Sequence, residues 1–130
     1  MEKSVISVTC AIIYFDDKVL AVQRSETMKL PLQWEFPGGK IESGESEIEC
    51  VKREVFEELN VKINVKQRLT SVVHQYPDFK IKLIPFIAGY ISGELQLKEH
   101  SDFVLANKKD LIHFDWAEAD LSILKEFLLS

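Results

Sequence analysis

The sequence predicts one domain that mixes strands and helices, an α/β (α+β) fold spanning residues 1–130. Segments at 4–15, 19–23, 62–76 and 80–91 are rich in Val, Ile and aromatic residues and read as strands. Segments 46–59 and 117–129 repeat their apolar residues at helical spacing. A chain of 130 residues, 46% apolar and 28% charged, fits one ordinary globular domain and excludes wholesale disorder.

In the first strand Ile6, Val8, Cys10, Ile12 and Tyr14 form an apolar face, while Ser7 and Thr9 interrupt the other, so one buried face is expected. Asp16-Asp17 reads as a turn and Val19–Gln23 as the returning strand. Residues 25–35 lack periodicity and contain Pro31, which predicts a loop. The apolar piece from Trp34 to Lys40 carries Gly38-Gly39, where the backbone can bend sharply and approach a ligand closely. In 46–59, Ile48, Val51, Val55 and Leu59 make one stripe; Ser43 or Ser46 caps its start, and Asn60 suits a left-handed end. Tyr76-Pro77-Asp78-Phe79 joins two strands, and Pro85 inside the second implies an edge or a bulge. Gly93-Glu94 opens a loop and Phe103–Leu105 makes a short strand. The last helix presents Leu121, Leu124 and Leu128 on one side.

Charge and composition narrow the function. With 16 basic and 21 acidic side chains the net charge is −5, and no basic cluster is present to grip a nucleic-acid polymer. No apolar run approaches the ~18–20 residues of a membrane helix. The N-terminus offers Lys3 but no clean apolar core or cleavage pattern, so a cytoplasmic protein is expected, acting as a monomer or homodimer. Cys10 and Cys50 show no metal-type spacing and are expected to be buried free thiols.

The second face of 46–59 holds Glu54, Glu57 and Glu58. Spacings of three and four make them neighbours that repel, and they sit at the end of the helix dipole that disfavours anions. A hard cation among them relieves both penalties. The alternative is a solvated acidic face with Lys52 and Lys62 as partners.

The wider spacing favours the cation. Gly39 is followed by five residues, Glu45, seven residues and Arg53-Glu54-Val55-Phe56-Glu57-Glu58-Leu59-Asn60-Val61. This resembles the signature box of the Nudix hydrolases, with Asn60 in place of a final Gly. Chance coincidence of its fixed residues is on the order of 10⁻⁷ per starting position. Trp34–Lys40, the length and the order of elements also resemble the MutT branch, which includes CTP and oxidised-dGTP pyrophosphohydrolases. The resemblance implies a mixed sheet between helices, an α/β/α sandwich with a loop–helix–loop box. It also implies hydrolysis of a nucleoside diphosphate linked to a further group.

Carried over residue by residue, the resemblance implies Mg²⁺, with Mn²⁺ as a substitute, held by the Gly39 carbonyl, Glu54, Glu57, Glu58 and Glu99. Glu54 and Glu99 are then also candidates in the chemistry. Arg53 is expected to orient the glutamates, most simply through Glu45 or through the metal-site carboxylates. Arg24 matches a substrate-contacting arginine, and Lys40 is placed to meet the terminal phosphate. Phe36 and Tyr76 are candidates to stack on a base. His100 is expected to be structural or at the surface, and His74 and His113 structural. Asp120 matches a base-reading position; an ionised carboxylate accepts only, suiting the amino group of cytosine and repelling the carbonyl of uracil. The expected substrate is therefore CTP, dCTP or a modified cytosine nucleotide, with oxidised dGTP second. Nucleotide sugars and dinucleoside polyphosphates usually need added elements. A Nudix-like binding module without catalysis is the rival from another class, separated by an assay for pyrophosphate release.

Overall fold

The computed structural model describes residues 5–130, so Lys3 and the first residue of the expected strand 4–15 lie outside the described residues. Strands β1 (Val5–Phe15) and β2 (Lys18–Gln23) are followed by the short β3 (Trp34–Glu35) and β4 (Gly38–Lys40). Helix α1 (Glu47–Leu59) leads to β5 (Lys62–Arg68), β6 (Val72–Gln75) and β7 (Lys80–Ser92). Strand β8 (Asp102–Ala106), a 3₁₀ turn (Lys108–His113) and α2 (Glu118–Leu129) complete the order. The sheet is mixed: β1 and β7 run parallel from Val5↔Lys80 to Tyr14↔Gly89, and the other pairings are antiparallel. No helix among the described residues is long and apolar enough to cross a membrane.

The sheet is covered on both faces, which corrects the expectation of one buried face for β1. Cys10, Ile12, Val19 and Ala21 pack with Ile123, Leu124 and Phe127 of α2. Ala11, Ile13, Leu20 and Val22 pack with Val51, Val55 and Leu59 of α1. Thr9 is fully buried; alternation with a polar residue predicts a solvated face, but α1 covers it. On α2 the deeply buried large apolar residues are Ile123, Leu124 and Phe127, while Leu121 and Leu128 only flank them.

Pro85 lies in a strand paired on both sides, not at an edge. Its missing N–H is tolerated because its neighbour breaks there: the expected strand 62–76 divides into β5 and β6 around Leu69, whose N–H donates to the Pro85 carbonyl at 2.9 Å. Both ends of α1 follow local chemistry. Ser46 Oγ accepts from the Glu49 N–H and Glu49 Oε1 accepts from the Ser46 N–H, each at 3.1 Å, a reciprocal capping box. Asn60 ends the helix at φ 61°, its N–H donating to Phe56 O at 2.9 Å.

Gly38 pairs with Cys10 so closely that a Cβ on it would stand 1.9 Å from the Thr9 carbonyl oxygen. Gly38→Ala is expected to cost about 3 kcal/mol of stability, because the obstacle is backbone and not a side-chain tip. Urea unfolding checks this; a loss below ~0.5 kcal/mol would mean that β4 shifts freely.

Candidate active site

The turn between β3 and β4, the strand β4 and the helix α1 bring the two glycines against the acidic face of the helix. A Cβ on Gly39 would stand 2.2 Å from Glu54 Oε2, so only glycine lets the backbone sit against that carboxylate. Behind them, Thr9 Oγ1 donates to Gly39 O at 3.4 Å and lies 3.2 Å from Cys50 Sγ. Cys10 and Cys50 are both buried free thiols.

Arg53 organises the acidic residues. Its Nε and Nη2 donate to the two carboxylate oxygens of Glu45 at 2.6 and 3.0 Å, a bidentate pair. Its Nη1 donates to Glu54 Oε1 at 2.8 Å and Glu57 Oε2 at 3.1 Å, and Nη2 reaches the Lys40 carbonyl at 3.1 Å. The Arg53 hydrogen bonds hold the Glu45 carboxyl down to about 2 and raise the guanidinium above its ordinary value.

Glu58 is different. Its side chain lines the cleft, and Oε2 is buried with no hydrogen-bond partner. Burial first, then the charges of Glu35, Glu54 and Glu99, pushes its carboxyl up to about 9. The three helix glutamates therefore do not form one open cluster. Glu57 is turned toward solvent on Arg53, and among the described residues no three His, Cys, Asp or Glu side chains make a ready cage. Repulsion among carboxylates explains the spread, with Arg53 as the nearby countercharge. The residues nonetheless fit a hard divalent cation. Glu54, Glu58 and the Gly39 carbonyl offer oxygen only, and the orphaned buried oxygen of Glu58 is an acceptor without a partner, which a cation would fill.

A cleft of about 330 Å³ opens beside these groups. Its carboxylate end includes Gly38, Gly39, Lys40 and Glu58; its other walls include Arg24, Glu35, Phe36, Tyr76 and Asp120. Arg24 Nη1 donates to Glu35 Oε1 at 2.7 Å, and its Nε donates to the Lys29 carbonyl. Lys40 is exposed at the rim. Phe36 and Tyr76 both reach the cleft but are nearly enclosed: Phe36 packs on Trp116 at 4.7 Å and Tyr76 on Phe79 at 4.8 Å, while the Tyr76 hydroxyl accepts from the Ala119 N–H at 3.0 Å. Glu99 is exposed and does not line the cleft. Its neighbour His100 is buried, with Nε2 2.8 Å from Glu35 Oε2. His74 pairs with Glu118 at 3.0 Å, and His113 is exposed.

Asp120 is 6% exposed and its Oδ2 accepts from the Phe36 N–H at 2.9 Å. The sequence alone implies an ionised, accept-only carboxylate. Burial, followed by the charge of Glu35, instead pushes this carboxyl well above the ordinary carboxylate range.

Sequence reasoning misses Glu35 and Phe79 as site residues. Glu35 stands between Trp34 and Phe36 in the segment that carries the family likeness, so a lone charge between aromatics was its signal. Phe79 belongs to the β6–β7 turn, where an aromatic gives no cue that the turn folds back onto the cleft.

A box that ends a glycine pair on an acidic helix, inside a two-faced mixed sheet, defines a class of phosphoanhydride hydrolase. The model of the NUDIX domain matches residues 3–126, and the chain belongs to the Nudix hydrolase family, whose members generally use divalent cations. It is 32% identical to the CTP pyrophosphohydrolase of Escherichia coli (strain K12) over 123 residues, 95% of this chain and 91% of that protein. It is 37% identical to the 8-oxo-dGTP diphosphatase of Proteus vulgaris over 68 residues, 52% of this chain and 61% of that one. The solution structure of the E. coli ORF135 protein superposes with a TM-score of 0.86 at 31% identity, covering 98% of this chain and 91% of that one. The crystal structure of the MutT protein from Methanosarcina mazei Go1 gives 0.86 at 27% identity, covering 98% and 95%.

Proposed function

We propose that this protein is a Mg²⁺-dependent nucleoside triphosphate pyrophosphohydrolase that releases a nucleoside monophosphate and diphosphate, acting first on cytosine nucleotides. The observation that carries the base assignment is Asp120, buried at the cleft wall with Oδ2 fixed by the Phe36 N–H. A carboxyl that keeps its proton donates through one oxygen and accepts through the other. With Oδ2 held as acceptor, the proton belongs to Oδ1. Cytosine presents an acceptor, N3, beside a donor, the N4 amino group; uracil presents the same two functions in the opposite order. A fixed donor–acceptor order thus separates them. The guanine edge offers two donors and calls for the bare carboxylate, which burial disfavours, so oxidised dGTP ranks second. The CTP pyrophosphohydrolase relative, aligned over 95% of this chain, supports the same order.

Glu54, Glu58 and the Gly39 carbonyl would hold the cation, with Glu57 and Glu99 as further ligands. When bound, it supplies charge compensation for the triphosphate, polarisation of a phosphoryl oxygen and acidification of a water. Arg53 and Glu45 set the orientation of Glu54, which holds the chemistry's carboxylate in place. Glu99 is the candidate to hold or move the water's proton. Arg24 binds near the sugar and phosphates, Lys40 meets the terminal phosphate, and Phe36 and Tyr76 line the base wall. The protein works on free nucleotides in the cytoplasm, as a monomer or homodimer of a single domain.

Incubation with a nucleoside triphosphate panel and Mg²⁺ should release pyrophosphate, fastest from CTP or dCTP. No release across the panel would favour the binding-module reading. In ¹⁸O water the label should enter pyrophosphate, because water attacks the β phosphorus. Label in the monophosphate would keep a hydrolase but reject that geometry.

A further inference from the structure

The segment from Gly93 to Ser101 leaves β7, crosses the C-terminal end of α1 and returns to β8. It has no regular structure, yet it is tied along its length. Gly93, at φ 106°, lies so near α1 that a Cβ on it would stand 2.2 Å from the Asn60 carbonyl oxygen. Asn60 Nδ2 donates to the Glu94 carbonyl at 3.1 Å. The N–H groups of Gln96 and Lys98 donate to the carbonyls of Leu59 and Glu58 at 3.0 and 3.3 Å, using acceptors that a helix end leaves free. At the far end, His100 is buried against Glu35, and the Ser101 N–H donates to Gln23 O at 2.9 Å. Glu99 stands between these ties, exposed itself, and its charge is felt by the buried Glu58.

We propose that Asn60 and His100 are positioning residues that pin the two ends of this strap and so present Glu99 to the carboxylate end of the cleft. Two features of these residues lack another explanation. A left-handed helix end at φ 61° is served at least as well by glycine, the residue the family box carries. What Asn adds is the side-chain bond to the strap. An imidazole in an irregular segment has no need of burial; the 2% exposure of the His100 side chain reflects its bond to Glu35, which itself lines the cleft. Asn60 thus ties the strap to the helix that bears the acidic residues, and His100 ties it to the wall that faces the substrate. The inference rests on the pyrophosphohydrolase reading only for its effect on turnover.

The test compares Asn60→Gly, His100→Ala and His100→Gln, alone and with Glu99→Gln. Amide hydrogen exchange over 94–99 reads the strap without any substrate. Asn60→Gly and His100→Ala are expected to speed it about tenfold while α1 stays protected. In turnover, kcat should fall about five- to tenfold with KM for the nucleotide little changed, because misplacing one group by about an ångström is costly. His100→Gln keeps a donor for Glu35 and should recover most of the loss; if His100→Ala does not fold, the exchange of Asn60→Gly alone decides. On the Glu99→Gln background the losses should vanish, since the strap then carries nothing. Unchanged exchange in both Asn60→Gly and His100→Ala, or kcat losses undiminished on that background, would overturn the proposal. A wild-type protein that releases no pyrophosphate defeats the functional reading and leaves the exchange result to judge the strap.

Discussion

Glu58→Gln is expected to lower kcat by at least ~10²-fold and, in the metal-free protein, to raise the melting temperature at neutral pH. Both effects have one origin. Glu58 is a buried carboxyl with an unpartnered oxygen, held up to about 9 against an ordinary 4.5. Below the ordinary value, folded and unfolded chains are both protonated and nothing is lost. As pH rises toward about 9 the unfolded chain ionises and the folded one resists, so stability falls across that window. Gln keeps the shape and cannot ionise, which removes the penalty together with the anionic ligand. The wild-type protein without metal should therefore melt higher at about pH 5 than at about pH 8, and the variant should lose much of that difference. Mg²⁺ should raise the wild-type melting temperature at about pH 8 and leave the variant nearly unmoved. Glu57→Gln is the contrast. Its side chain is 57% exposed and already rests on Arg53, so activity should fall without any gain in stability. Near-normal turnover in both variants would remove these carboxylates from the chemistry.

The scaffold was legible because its signals are local. The capping box at Ser46 and the left-handed end at Asn60 are chemistry within a few residues, and of the expected stripe Ile48, Val51, Val55 and Leu59 the last three pack on the sheet, while Ile48, in the first turn, is exposed. The break at Leu69 was not legible. Alternation continues through 62–76, and the interruption exists because Pro85, far along the chain, cannot donate to a neighbour. Thr9 was misread for a similar reason: polarity in a strand predicts solvent, but here the hydroxyl meets a backbone carbonyl and a thiol brought in by β4 and α1.

In the site, the resemblance to the family box singled out Glu45, Arg53 and Glu54, and the structure joins them through the Arg53 guanidinium. The resemblance did not show that Arg53 divides the acidic face, leaving Glu58 buried alone on the cleft side. Nor did it show Glu35. That residue joins Arg24 and His100, which are distant in sequence, and its role is visible only when three segments meet. The upward shift of the Asp120 carboxyl was out of reach for the same reason, since burial is a property of the whole fold.

That upward shift yields the second large effect. Asp120→Leu is expected to lower the ratio of kcat/KM for CTP over UTP by about 10- to 100-fold, the equivalent of losing roughly 1–3 kcal/mol of polar discrimination. Comparing two substrates with the same phosphates cancels whatever the substitution does at the carboxylate end. Asp120→Asn should behave differently. The Phe36 N–H, which now donates to Oδ2, will draw the amide oxygen to that place and leave the NH₂ where Oδ1 stands. The side chain then offers the same order of acceptor and donor as the protonated acid, so the preference for CTP should survive within a few-fold. What it loses is its titration. Burial raises the Asp120 carboxyl, so the wild-type group is protonated below its raised value and ionises as pH increases through it. The wild-type ratio for CTP over 8-oxo-dGTP should therefore decline with rising pH, as the bare carboxylate comes to suit the two donors of guanine. In Asp120→Asn that ratio should stay flat. A collapse of the CTP-over-UTP ratio in Asp120→Asn at neutral pH would show that the carboxylate reads the base ionised, and an unchanged ratio in Asp120→Leu would show that it does not read the base at all.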